Sequence, residues 1–159
     1  MRPYETTSGL FRALRARPRA QGGRPCPPKR SDVRLLVAEH SDSVRRVAVG
    51  ILTELGFGHI DEVGDGSLVL ERLHGKPYDM LVVDLALPHI DGLSLLRAVR
   101  GTPSLADLPV IVLASHVTRE LLGDCVEAGA DGFVVKPFAQ GHLEDSVTCA
   151  LRDRPTPSP

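Results

Sequence analysis

Residues 80–84 read Met80-Leu81-Val82-Val83-Asp84, and the chain continues Leu85-Ala86-Leu87-Pro88-His89-Ile90-Asp91-Gly92. A short apolar run with no polar interruption, bounded by turn residues, predicts a strand covered on both faces, as parallel strands are. This run closes on a carboxylate. The carboxyl end of a parallel strand opens onto the crevice where open α/β sheets hold their ligands. Asp84 is therefore a candidate site residue.

Outward from this strand the pattern alternates. Residues 33–38 form a second buried run, and 41–55 place Val44, Val47, Ala48, Ile51, Leu52 and Leu55 at helical spacing. Ser41 or Asp42 can cap that helix and Gly56 can end it. A weaker strand at 60–63 precedes a helix at 66–73. After the strand at 80–84 come a helix at 92–100, a strand at 110–114, a helix at 118–128, a strand at 132–135 and a helix at 141–151. Repeated strand–helix units imply a parallel sheet with right-handed crossovers and helices on both faces. Five strands and no GxGxxG favour the flavodoxin-like order 2-1-3-4-5 over the longer Rossmann order. In that order the ends of the first and third strands flank the point where the winding reverses, so Glu39-His40 and Asp84 should meet.

Composition bounds the rest. The chain has 159 residues, with 42% hydrophobic and 25% charged residues, as in an ordinary globular protein with one sizeable core. No apolar run approaches the ~20 residues of a membrane span, and no signal-peptide pattern opens the chain. Cys26, Cys125 and Cys149 are odd in number and far apart, which fits a reducing compartment better than a disulfide framework. Net charge is −1, but it hides an asymmetry. Residues 1–30 carry eight Arg or Lys against Glu5 alone (+7), whereas residues 31–152 carry ten basic and eighteen acidic side chains (−8). We therefore divide the chain into a disordered basic arm at 1–30, a domain at 31–152 and a disordered tail at 153–159. Residues 9–15 of the arm have the pattern of one or two basic amphipathic turns before Pro18. Such charge runs usually only solvate, which weighs against nucleic-acid binding.

Four separated elements converge at one edge of this sheet: Glu39-His40, Asp84, Ala114-Ser115 and Lys136-Pro137. With Leu87-Pro88-His89-Ile90-Asp91-Gly92, Leu108-Pro109-Val110-Ile111-Val112-Leu113 and Ala128-Gly129-Ala130-Asp131-Gly132-Phe133-Val134-Val135-Lys136-Pro137-Phe138, they resemble the receiver domain of response regulators, of the CheY type, over about residues 32–152. The resemblance implies a cytoplasmic signalling protein of two-component systems. Asp84 would accept a phosphoryl group from a histidine kinase or phosphotransfer protein, and Lys136 would pair with the acceptor and then with the phosphoryl group. Mg²⁺ would be held by Glu39, Asp84, the backbone carbonyl of Ala86 and, in place of an acid, His40. Ala114, Ser115 and Phe133 fall at the switch positions, and the Lys136–Pro137 bond is expected to be cis. Output would pass to a protein target through the fourth helix, fifth strand and fifth helix. Whether the chain forms a homodimer is open at this stage.

Two departures qualify the resemblance. Receivers carry two consecutive acids after the first strand, where this chain has Glu39 and His40, and imidazole suits Zn, Cu or Ni better than Mg²⁺. Alignment from either side puts Ala114 where the family places a hydroxyl; only a bulge would bring Ser115 into that role. His40, His89 and His116 could together rim the pocket, although their spacing matches no recognised ligand motif. These departures keep a second reading open, a degenerate receiver that works as a phosphorylation-independent interaction module. An aspartate-nucleophile phosphatase is excluded because it needs a second acid two residues after the nucleophile, where this chain has Ala86, so we expect no enzyme.

Overall fold

The computed structural model describes Phe11 and residues 28–153. Five strands, β1 (Arg34–Ala38), β2 (His59–Val63), β3 (Met80–Asp84), β4 (Val110–Ala114) and β5 (Gly132–Val135), alternate with helices α1 (Asp42–Glu54), α2 (Gly66–Gly75), α3 (Gly92–Gly101), α4 (Arg119–Ala128) and α5 (Gln140–Arg152). All neighbouring strands are parallel, in the order β2-β1-β3-β4-β5. The expected element types and strand order are those observed. Boundaries shift by at most two residues.

The sheet divides the core in two because successive strand side chains point to opposite faces. Leu36, Ala38, Leu81, Val83, Val112 and Phe133 face a layer built from α2, α3 and α4. Leu35, Val37, Val82, Ile111, Leu113 and Val134 face α1 and α5. The central strands β3 and β4 are buried at every position, as their unbroken apolar sequences require.

Local sequence sets the helix starts. Ser41, Asp65, Asp91 and Thr118 accept hydrogen bonds from the N–H groups of Val44, Ser67, Ser94 and Leu121, satisfying donors that a helix start leaves unpaired. Gly56 follows the end of α1 at φ +97°, a conformation glycine adopts without steric cost. One expectation fails: Val47, placed by its spacing on the inner stripe of α1, is 53% exposed. Only Ala48 and Leu52 of that helix are buried, so the contact with the sheet is narrower than the apolar stripe.

The arm's last residue belongs to the folded domain. Arg30 opens a short 3₁₀ turn (Arg30–Asp32), donates to the Leu55 carbonyl at 2.9 Å, pairs with Glu144 and lies over the Phe57 ring. The expected disorder of residues 1–27, Phe11 apart, and of residues 154–159 lies outside the described residues; Phe11 is helical and buried, and Asp153 ends α5 with its N–H donating to the Cys149 carbonyl at 3.1 Å.

Candidate phosphoacceptor site

Asp84 ends β3 with 1% of its surface exposed, and every side-chain oxygen is engaged. Oδ1 accepts from the Ala86 N–H at 3.1 Å and from Lys136 Nζ at 3.1 Å. Oδ2 accepts from His40 Nδ1–H at 2.5 Å. Burial pushes the Asp84 carboxyl upward, but the Ala86 N–H, His40 and Lys136 together outweigh it and hold the group below the usual carboxylate range. The anion is thus stabilised in place despite its burial.

Glu39 follows β1 and is fully buried. Its Oε1 accepts from the Ser41 N–H at 2.9 Å and its Oε2 from Lys136 Nζ at 2.9 Å. Lys136 therefore spans the two carboxylates, entering from the end of β5 with a side chain only 9% exposed. The Lys136–Pro137 bond is cis, as the resemblance implies. The predicted meeting of residues 39, 40 and 84 is observed, and Lys136 joins them.

Among the described residues, Glu39, His40 and Asp84 form the cluster compact enough to hold a metal ion, their ligand atoms lying within 4.8 Å of one another. Two carboxylates, with water and substrate oxygens completing the shell, suit a divalent cation of the Mg²⁺ class. His40 would offer such a shell a nitrogen, which Mg²⁺ accepts poorly and transition metals accept well.

The remaining expectations sort differently. His89 lies away from the cluster, at φ +67°, with its Nδ1 2.6 Å from Asp65, and His116 is exposed beyond β4. The three imidazoles do not converge. Only His40 reaches the acids, because the loops bearing the other two turn outward. The β4–β5 ladder is regular from Ile111 to Ala114, so no bulge brings Ser115 inward; Ala114 is 3% exposed and Ser115 is exposed. The position expected to hold a hydroxyl is therefore a methyl group. Phe133 is buried at 2% on the α2–α4 side of β5.

Two contributors escaped the sequence reading. Arg45 donates to the Glu39 carbonyl at 2.8 Å and pairs with Asp42 and Glu62, fixing the turn that aims Glu39. Gly66 and Gly92 both lie against the loop that joins β3 to α3. A Cβ on Gly66 would come within 1.9 Å of the Ile90 carbonyl oxygen, and one on Gly92 within 2.4 Å of the Asp84 carbonyl oxygen. Gly92 therefore does more than shape a turn: it lets α3 approach the acceptor's own backbone. The Gly64-Asp65-Gly66 turn was the only signal for the second contact, and it named no partner.

Residues 35–148 match the response regulator receiver domain. This chain belongs to that family. As a receiver it is 34% identical over 115 residues to the chemotaxis protein CheY of Pseudomonas aeruginosa, covering 72% of this chain and 93% of that protein. The solved signal receiver domain of a signal transduction histidine kinase from Syntrophus aciditrophicus is 27% identical with a TM-score of 0.71, covering 79% of this chain and 95% of that one. The receiver domain of a sensor histidine kinase from Pseudomonas aeruginosa, solved with a magnesium ion coordinated in its active site cleft, shares the fold at 24% identity and a TM-score of 0.68, over 75% of this chain and 97% of that one. Receiver domains interact with histidine kinases and downstream targets, and the family generally signals rather than catalyses. No helix among the described residues is long and apolar enough to cross a membrane.

Proposed function

We propose that this receiver accepts a phosphoryl group on Asp84 from the phosphohistidine of a histidine kinase or phosphotransfer protein, and signals by protein contact. The observation that carries this reading is the buried Asp84 anion with Lys136 bridging it to Glu39. A carboxylate oxygen attacks phosphorus in line, the P–N bond of the donor breaks, and the electron pair leaves with the donor imidazole. Oδ1 stays with Lys136 and the Ala86 N–H, while Oδ2, toward the half-exposed His40, is the attacking atom. Lys136 then follows the developing charge onto the phosphoryl oxygens as a compact cation. Glu39, Asp84, the Ala86 carbonyl and His40 would hold a divalent cation of the Mg²⁺ class, which when bound supplies charge neutralisation between carboxylates and phosphoryl oxygens. The ligand roles of Ala86 and His40 rest on the family resemblance.

Two observations favour a second reading, in which the fold is a phosphorylation-independent interaction module. His40 sits directly on the oxygen that must attack, and Ala114 offers the phosphoryl group no hydroxyl. The two readings separate on incubation with Mg²⁺ and acetyl phosphate followed by intact-protein mass measurement. A gain of one phosphoryl mass that disappears in Asp84→Asn supports phosphoacceptance. No gain, together with no spectral response to beryllofluoride in folded protein, would leave the interaction module.

A further inference from the structure

Of residues 1–27 of the basic arm Phe11 is the one described, and it is not solvated: 2% of its surface is exposed, and it belongs to the core cluster on the α2–α4 side of the sheet. Its ring lies 6.1 Å, centroid to centroid, from that of Phe133, tilted by 33°. That separation is inside the ~4.5–7 Å range over which aromatic rings attract. Phe133 sits on β5, the edge strand of the sheet among the described residues. Beside it on the same side is α4, which buries Leu122 and Cys125 and turns Glu120, Asp124 and Glu127 outward. These three acids are spaced i, i+4 and i+7, so they share one face of the helix. The sequence around Phe11 carries Arg12, Arg15, Arg17 and Arg19. An apolar anchor is thus seated at this edge, and the sequence that follows it is basic where the outward face of α4 is acidic.

We propose that the segment carrying Phe11 is a tethered ligand of the Phe133–α4 face, seated by its aromatic anchor and steered by arginines toward the acidic stripe. In this position it occupies, within the same chain, the surface that an apolar helix of a protein partner would use, so a partner must displace it to bind. The contact also reaches toward the acceptor site, since Phe133 stands three positions before Lys136, which touches both carboxylates. The proposal goes beyond phosphoacceptance and requires no phosphoryl transfer.

The chain contains four phenylalanines, so selective ring labelling of the full-length protein isolates the pair by NMR. Cross-peaks between the Phe11 and Phe133 rings are expected in the unmodified protein, with intensities independent of concentration. Their absence would overturn the proposal, and peaks that fade on dilution would place the segment on a second copy and overturn it equally. A second readout uses the absence of tryptophan from the sequence. Phe11→Trp should emit as a buried indole and resist acrylamide quenching, and adding Phe133→Ala should raise quenching at least threefold. Charge reversal by Glu120→Lys, Asp124→Lys and Glu127→Lys should raise it at least twofold. Unchanged quenching in that triple variant would overturn the assignment of the acidic stripe. Acetyl phosphate labelling of Asp84 is scored separately, so failure of phosphoacceptance and failure of docking are distinguishable.

Discussion

At Asp84 the environment solves a specific difficulty: a carboxylate buried in a sheet is costly unless its charge is met. The Ala86 N–H, Lys136 and His40 meet it, and the carboxyl is held below its usual range. Lowering of the folded-state value means that this anion stabilises the fold at neutral pH, a contribution lost as the pH falls through that lowered value. His40 is the residue at which this site departs from the all-oxygen donor set that suits Mg²⁺. An oxygen donor in its place would suit Mg²⁺ better and would free Oδ2 from the imidazole. We expect His40→Asp to bind Mg²⁺ at least tenfold more tightly by calorimetry, a gain of about 1.4 kcal/mol, and to label faster with acetyl phosphate. Equal Mg²⁺ affinity in the two proteins would show that His40 does not limit the site. Asp84 and Lys136 were both legible in the sequence because each ends a buried run at a position the topology fixes. The exposure of His116 and the pairing of His89 with Asp65 were not, since loop direction depends on contacts made elsewhere in the chain.

Among elements, β2 is the strand whose attachment is most polar. Its residue Asp61 accepts from the Tyr78 hydroxyl at 2.5 Å and pairs with Lys76, tying the outer strand to the segment that enters β3. Burial, then the Asp61 hydrogen bond, pushes the Tyr78 hydroxyl up to about 12. A phenol whose value is raised on folding stabilises fully below its unfolded value of about 10 and loses that contribution as the pH climbs to the folded value. Tyr78→Phe should therefore lower stability by about 1 kcal/mol at pH 7 and should flatten the loss of stability between about pH 10 and 12. Urea midpoints across that range test it, and an unchanged alkaline slope would count against the Tyr78 assignment. Element identities were readable because propensity, periodicity and caps agree in each segment. Ser41 caps where expected, and β3, β4 and β5 span the predicted residues. Val47 was misplaced because helical spacing marks a stripe without saying how much of it a flat sheet can cover.

For the whole molecule, the two halves of the core share one sheet, so neither helix layer has a core independent of the other. Adjacent residues of β3 illustrate this: Leu81 packs toward α2–α4 and Val82 toward α1 and α5, both fully buried. Leu81→Ala should cost about 3 kcal/mol, and denaturation should remain a single transition, with far-UV dichroism and tyrosine fluorescence coincident. Separate transitions from the two probes would indicate that the layers unfold independently.

The sequence by itself determined the fold class, favoured the strand order that is observed, and through that order drew Glu39, His40, Asp84 and Lys136 to one edge. Each of these follows from local patterning combined with the strong rules of parallel-sheet topology. The tertiary structure alone decided three things. It set Gly66 against the Ile90 carbonyl, turned His89 and His116 away from the acids, and brought Phe11 onto Phe133 across more than a hundred residues of chain. Periodicity reports which face of an element is apolar, but not which distant group covers it, and those three contacts are made between segments whose separation no local pattern records.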